Sequence, residues 1–302
     1  MTAVTEQSPK QGAPVPLPLR TTRRNFLRLA AAGVAVVGID SFGIEPNLPK
    51  VVQRELSLRR WPAGLDGFRI ALLSDFHYDP VFSVHPIRAA IGMVNDLRPD
   101  LIVLTGDFVS LPLLKRRDVE SAGAAEPCAQ LLGQLKARHG LWAVLGNHDF
   151  YADPGVVGAA LHAHGIQLLE NASVPIEFNG ARFWLSGVND VLSQTSDLSA
   201  TLHNVPADEA TVLLAHEPDY ADYAARFPVD LQLSGHSHGG QVRFPFLPPL
   251  YLPDLAHKYI SGLYRIGPLT LYTNRGLGTV NIPVRLNCTP EITLLTLSKL
   301  RG

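Results

Sequence analysis

Five short polar clusters each follow an apolar run, and their side chains are of the kinds that hold hydrolytic metal ions. Ile70-Ala71-Leu72-Leu73 leads into Ser74-Asp75-Phe76-His77, Leu101-Ile102-Val103-Leu104 into Thr105-Gly106-Asp107, and Trp142-Ala143-Val144-Leu145 into Gly146-Asn147-His148-Asp149. Val212-Leu213-Leu214-Ala215 leads into His216, and Leu231-Gln232-Leu233 into Ser234-Gly235-His236-Ser237-His238. Together they offer carboxylates, an amide oxygen and imidazoles, with no thiolate. Oxygen and nitrogen donors without sulfur suit a hydrolytic first-row metal rather than an iron–sulfur or Cys-type structural zinc site. The donors are too many for one ion. Asp75 and His77 stand two apart, as do His236 and His238, and in an extended segment such pairs share a side. A carboxylate such as Asp107 can bridge two ions with its two oxygens. Two ions about 3.5–4 Å apart clamp the attacking and leaving oxygens of an in-line displacement at phosphorus.

Each motif alone is weak. Asp-x-His and Gly-Asp are common turns, and a single His216 says nothing. Gly-Asn-His-Asp and Gly-His-Ser-His are more specific. The metal reading rests on all five in series, each at a strand end. The other six histidines, His85, His139, His162, His164, His203 and His257, lack this context and read as surface or helix residues.

The elements that must position these clusters follow from the spacing. Strands are expected at Phe68–Ser74, Leu101–Thr105, Leu141–Leu145, Arg182–Gly187, Thr211–Ala215, Leu231–Ser234, Leu269–Thr273 and Ile292–Leu297, after a first strand around the alternating segment Arg54–Arg59. Helices are expected at Pro86–Leu97, Val119–Arg138, Val156–His164 and Tyr220–Arg226. Strand–helix alternation in the first half implies βαβ units with parallel strands, and the last third is strand-rich. In open α/β sheets the ligand crevice lies beyond the carboxyl ends of the strands, so the five clusters should converge.

The chain has 302 residues, 46% hydrophobic and 18% charged, which supplies a large core and excludes wholesale disorder. A net charge of -1 gives no basic footprint for a nucleic-acid partner. Two cysteines, Cys128 and Cys288, exclude a disulfide scaffold; they read better as unpaired, buried small hydrophobes than as a pair. Residues 1–46 read as non-globular: a polar, Pro-rich stretch to residue 20, then Thr21-Thr22-Arg23-Arg24-Asn25-Phe26-Leu27-Arg28 and the apolar run Leu29–Ile39. Paired arginines before a short Ala/Gly/Val-rich segment form a bacterial export signal that resembles the twin-arginine pattern. The run is too short for an ordinary spanning helix, which needs about 20 residues. No clean A-x-A site follows it, so the segment is either cleaved or kept as a membrane tether. Residues 47–302 read as one domain. Leu247-Pro248-Pro249-Leu250-Tyr251-Leu252-Pro253, soon after His238, is either a lipid-facing lip or a Pro-rich crossing buried on the core.

The series Asp75-x-His77, Gly106-Asp107, Gly146-Asn147-His148-Asp149, His216, Gly235-His236-Ser237-His238 resembles the calcineurin-like metallophosphoesterase superfamily over about residues 68–297. Gly235–Arg243, Thr273-Asn274-Arg275-Gly276-Leu277-Gly278 and Pro290-Glu291-Ile292 are similar to its bacterial YkuE/YaeI-type branch. The resemblance implies a four-layer α/β/β/α sandwich with a dinuclear site at one edge. It places Asp75, His77, Asp107 and His238 on one metal and Asp107, Asn147, His216 and His236 on the other. His148 would face the substrate phosphate, and Asp149 would orient His148 or a ligand. The expected cofactors are two divalent ions, Mn, Fe or Zn. The expected activity is that of a phosphoesterase, foremost a phosphodiesterase acting on an envelope phosphoester. A lipid pyrophosphate hydrolase of the UDP-diacylglucosamine type and a non-catalytic metal-binding envelope protein are the alternatives. Expected partners are the twin-arginine translocation machinery and the membrane or cell wall. The expected location is the extracytoplasmic side of the envelope.

Overall fold

Short apolar runs buried on both faces become the inner strands of two sheets. The computed structural model describes residues 22–112 and 118–301, so the Pro-rich stretch to residue 20 and Thr21 lie outside the described residues. Strands run β1 (Lys50–Leu58), β2 (Phe68–Leu73), β3 (Leu101–Leu104), β4 (Leu141–Ala143), β5 (Ile166–Leu168), β6 (Ala172–Phe178), β7 (Ala181–Gly187), β8 (Thr211–Leu214), β9 (Leu231–Ser234), β10 (Gly262–Ile266), β11 (Leu269–Thr273) and β12 (Glu291–Lys299). Helices are α1 (Arg23–Ile39), α2 (Val84–Leu97), α3 (Ala125–Leu132), α4 (Asn147–Ala152), α5 (Pro154–Ala163), α6 (Leu198–Thr201) and α7 (Ala221–Ala224). The chain divides into two units, Met1–Gly38 and Ile39–Gly302.

Within the second unit one sheet has the order β1-β12-β2-β3-β4-β5 and the other β10-β11-β9-β8-β7-β6. Strands β2 to β5 pair in parallel, as do β7, β8, β9 and β11. Antiparallel pairing is confined to β12 with β2 and to the margins β10–β11 and β6–β7. The strand period of two sorts each run into layers. Ile70 and Leu72 face the space between the sheets, with Val212, Leu214, Leu231, Leu233 and Phe183 opposite them. Ala71 and Leu73 face the other way, against Ile87, Ile91 and Val94 of α2 and Leu132 of α3. On the far side of the second sheet Leu213 and Leu271 pack on Leu198 of α6 and Ala221 and Ala224 of α7. The result is the four-layer α/β/β/α sandwich. Trp61 is fully buried between the sheets, 4.8 Å from the Phe183 ring. Burying an aromatic side chain there is worth about 1.5–3 kcal/mol.

The strands missing from the sequence reading, β5, β6 and β10, are all sheet edges. The helix expected over Val119–Arg138 is a 3-10 stretch, Val119–Ala124, followed by the shorter α3. Gly133 ends it, lying so close to the next layer that a Cβ there would sit 2.9 Å from the His164 carbonyl. The helix expected over Tyr220–Arg226 shrinks to a 3-10 turn, Pro218–Tyr220, and the four residues of α7. Helices α4 and α6 were not foreseen. His139 is neither helical nor fully exposed: its ring lies 5.4 Å from Phe68 and 5.5 Å from Phe178. Cys128 and Cys288 are free and buried, as expected.

The N-terminal run also departs from its expected length. Helical turns continue from Arg23 to Asn47, 25 residues of mean hydropathy 1.6, which is long and apolar enough to cross a membrane by length and composition. None of the residues of α1 is buried. In the second unit, Ser41 and Pro46 are buried, and the Glu45 carboxylate accepts the backbone N–H groups of Asn287 and Cys288.

Candidate metal centre

All five clusters meet where β2, β3, β4, β8 and β9 end. Beyond β2 and β3 the backbones stay paired, with Asp75 N–H donating to Gly106 O, His77 N–H to Asp107 O and Tyr78 N–H to Phe108 O. This continued ladder sets the first two clusters side by side. The same-side argument for Asp75/His77 and His236/His238 fails in detail, because these segments are not extended. Asp75 (φ 53°), His77 (φ 40°), Asp107 (φ 57°), His236 (φ 68°) and His238 (φ 49°) all have left-handed backbones. Such conformations cost of order 1–3 kcal/mol each for a residue with a side chain and cluster at functional sites. Tight left-handed turns, rather than the strand pleat, aim these side chains at one point.

The donors form two groups. In one, Asp75, His77, Asp107 and His238 offer atoms that all lie within 4.8 Å of one another; in the other, Asp107, His216 and His236 do. His77 Nε2 lies 3.0 Å from His238 Nε2, and His238 Nε2 lies 3.4 Å from Asp75 Oδ1. Asp107 Oδ2 is 3.4 Å from His77 Nε2 and 3.3 Å from His216 Nε2, so one oxygen belongs to both groups. His236 Nδ1 is 3.2 Å from His216 Nε2. Two ligands at about 2.1 Å from a common ion stand roughly 3.0–3.4 Å apart, which is the spacing found here. Asn147 lines the same cavity, and its buried Oδ1 has no hydrogen-bond partner, nor has His238 Nδ1. The donor chemistry and the orphaned amide oxygen both fit a pair of divalent ions.

Three of the four imidazoles, His77, His216 and His236, are held for ligation by their other nitrogens. His216 Nδ1–H donates to Thr105 O at 2.5 Å, and His236 Nε2–H donates to Asp254 O at 2.8 Å. His77 Nδ1 faces Ser110 Oγ at 3.3 Å. Burial pushes His77 and His236 down to about 3, and His238 well below its usual value, so these rings are neutral, the ligating form. Burial also opposes charge on His216, but the Asp107 carboxylate outweighs it and holds His216 well above the usual imidazole range. Asp107 is held well below the carboxylate range in turn, with His216 and His148 overcoming its burial. Burial pushes Asp75 up to about 6. Its two oxygens accept the His236 backbone N–H.

His148 and Asp149 take separate roles. Both lie in the first turn of α4, capped by Gly146. Leu111 N–H donates to His148 Nδ1 at 3.0 Å, so the neutral ring carries its proton on Nε2. His148 lines the cavity, and burial lowers its pKa below 6.5. Its backbone N–H donates to Asp107 Oδ1. Asp149 is fully buried and accepts the N–H groups of Gly146, Asp107, Phe108 and Val109. Burial pushes its carboxyl up to about 7, while these four donors favour the ionised form. It braces the loop that carries Asp107 and does not orient the His148 ring.

Arg285 was missed by the sequence reading. It is fully buried and donates to the carbonyls of Arg275, Gly276, Gly278 and Cys288, clamping a loop that lies over Asp75. The Gly-rich stretch Gly276-Leu277-Gly278 marks that loop but not Arg285 itself: a Cβ on Gly276 would come within 2.6 Å of Asp75 Cβ, and its φ of +72° suits glycine. The cavity holds about 470 Å³, in the range of small-molecule sites. Leu247, Leu250 and Tyr251 are exposed, so the Pro-rich crossing is not buried on the core.

The sequence pattern of the calcineurin-like phosphoesterase family matches residues 68–240. The uncharacterized metallophosphoesterase YkuE of Bacillus subtilis is 32% identical over 92% of this chain and 98% of its own length. Phosphodiesterase YaeI of Escherichia coli is 31% identical over 91% of this chain and 99% of its own length. A transmembrane protein with metallophosphoesterase domain from Danio rerio is 34% identical over 90% of this chain, which spans 62% of that longer protein.

Proposed function

This chain belongs to the calcineurin-like phosphoesterase family and is a metal-dependent phosphoric ester hydrolase, and we propose that it is a phosphodiesterase of the bacterial envelope. In this reading Asp75, His77, Asp107 and His238 hold one divalent ion, and Asp107, Asn147, His216 and His236 hold the other. The observation that carries it is the single Asp107 oxygen set between His77 and His216. When bound, the ions supply Lewis-acid charge and bring the pKa of a shared water towards about 7. The chain does the rest. Asp149 fixes the loop under Asp107, and the carbonyls of Thr105 and Asp254 fix two imidazole ligands. His148, held as the Nε2–H tautomer by Leu111, donates to a phosphoryl oxygen and steadies the charge that develops there.

The address lies in the N-terminal stretch up to Gly38, and the catalytic domain takes in Ile39–Gly302, where Glu45 accepts from Asn287 and Cys288. Arg23 and Arg24 open a helix with the apolar length of a signal or anchor, which supports twin-arginine export and retention at the extracytoplasmic face of the membrane. The deciding experiment is hydrolysis of bis(4-nitrophenyl) phosphate by the purified full chain. Turnover with added manganese, abolished by EDTA and restored by metal, is expected. Metal binding without turnover of diester or monoester would leave a non-catalytic metal protein.

A further inference from the structure

We infer that the phosphoester cleaved by this chain carries a hydrocarbon chain, bound along the apolar side of the cavity that opens from the metal centre. The inference rests on the phosphodiesterase reading of the same site. The cavity is lined by the polar groups of Asp107, Asn147, His148, His236 and His238 and by an apolar set that includes Leu250, Tyr251, Pro253, Val280 and Ile282. Three of these continue into solvent: Leu250 is 67%, Tyr251 63% and Ile282 52% exposed. Phe244, Phe246 and Leu247 extend the same exposed apolar segment. Leaving so much apolar surface in water is unfavourable, and such patches mark interaction sites.

The apolar wall is fixed to the reacting end. Asp254 O, one residue past Pro253, accepts the His236 Nε2–H. Gly240 has φ +81° and meets Pro249 so closely that a Cβ there would stand 2.5 Å from the Pro249 Cβ. Pro248, Pro249 and Pro253 limit the backbone freedom of the segment between. Gln241 secures the facing loop, donating to the carbonyls of Val280 and Ile282 and accepting the Val280 N–H. Whatever covers this wall therefore lies against the group bound at His148 and His236. A hydrocarbon chain esterified to the same phosphate meets both requirements in one molecule.

The test is a series of methyl, butyl and octyl 4-nitrophenyl phosphates, each below its micellar concentration, on the metal-loaded full chain. Full transfer of a methylene from water gives about a fourfold gain, so burying about half of the seven methylenes added from methyl to octyl should raise kcat/KM about a hundredfold, with a ceiling of about 10⁴. The L250S/I282S double variant, altered only at exposed positions, should cut the octyl-to-methyl ratio at least about tenfold. Binding of octylphosphonate against methylphosphonate, read by calorimetry, supplies a measure independent of turnover. Hydrolysis of all three esters at equal rates would overturn the inference and leave the phosphodiesterase reading standing. Tighter octylphosphonate binding with no ester cleaved would support the apolar subsite and remove the phosphodiesterase reading. A steep chain-length series unchanged in the double variant would place the chain elsewhere and overturn the assignment.

Discussion

Replacing His148 by alanine separates catalysis from metal binding, because the residue touches the two through different atoms. Its tie to Asp107 runs through the backbone N–H, at 3.0 Å from Oδ1, and an alanine keeps that bond. The ring, by contrast, lines the cavity and offers Nε2–H to the substrate, with Nδ1 occupied by Leu111 N–H. Loss of one such donor typically costs about 10²–10³ in kcat. Leu111 N–H loses its acceptor, a penalty of about 1–3 kcal/mol, at the low end because water can enter the cavity. The expected H148A protein therefore keeps its full metal content, unfolds about 1 kcal/mol more easily, and hydrolyses diester at least about a hundredfold more slowly. His148→Asn is the control: its amide oxygen can accept from Leu111 N–H, restoring stability, but its shorter side chain does not restore rate. Metal analysis, denaturant titration and steady-state kinetics on the three proteins read the three quantities. Loss of metal in H148A, or a rate within threefold of wild type, would refute the division of roles.

Gly235 is predicted to tolerate no side chain, since a Cβ there would run into Ser74 Oγ and Asp75 Oδ2. G235A should cost about 1–3 kcal/mol by overpacking and weaken metal affinity by displacing Asp75, read by denaturation and by chelator competition; full metal affinity would contradict the packing argument. Glu217 is fully buried, and its burial and the Asp190 carboxyl raise it well above 4.5. Folding therefore favours its protonated form: this stability is whole below pH 4.5 and is lost as pH rises through the raised value, by at most about 1.4 kcal/mol per pH unit. In metal-free protein E217Q should flatten the decline towards alkaline pH, and an unchanged pH profile would refute a buried, protonated Glu217. Replacing Arg23 and Arg24 by lysine should hold active, metal-loaded protein in the cytoplasm on fractionation; export of the double variant would defeat the address reading.

The central strands were legible because each is buried on both faces and reads as a short apolar run. β9 and β11 match their expected bounds residue for residue, and β2, β3 and β8 differ by a single residue at the end. The edges were not. β6 is interrupted by the exposed Pro175 and is mostly half-buried, and β10 alternates between half-buried and exposed residues with no apolar run to mark it. The donors of the site were legible from residue type and order. Their geometry was not, because the left-handed turns fall on Asp and His residues, where no glycine announces them. Arg285 lay beyond reach for a related reason: its partners are backbone carbonyls brought together only by the fold.

Two ions sharing Asp107 are the core of the site, and metal stoichiometry of the reconstituted full chain tests that arrangement most directly. The wild-type protein should bind about two divalent ions per chain, as a dinuclear clamp requires, and Asp107→Ala should lose both, since both donor groups draw on that carboxylate. One ion per chain at saturating metal, or an Asp107→Ala protein that still binds two, would contradict it.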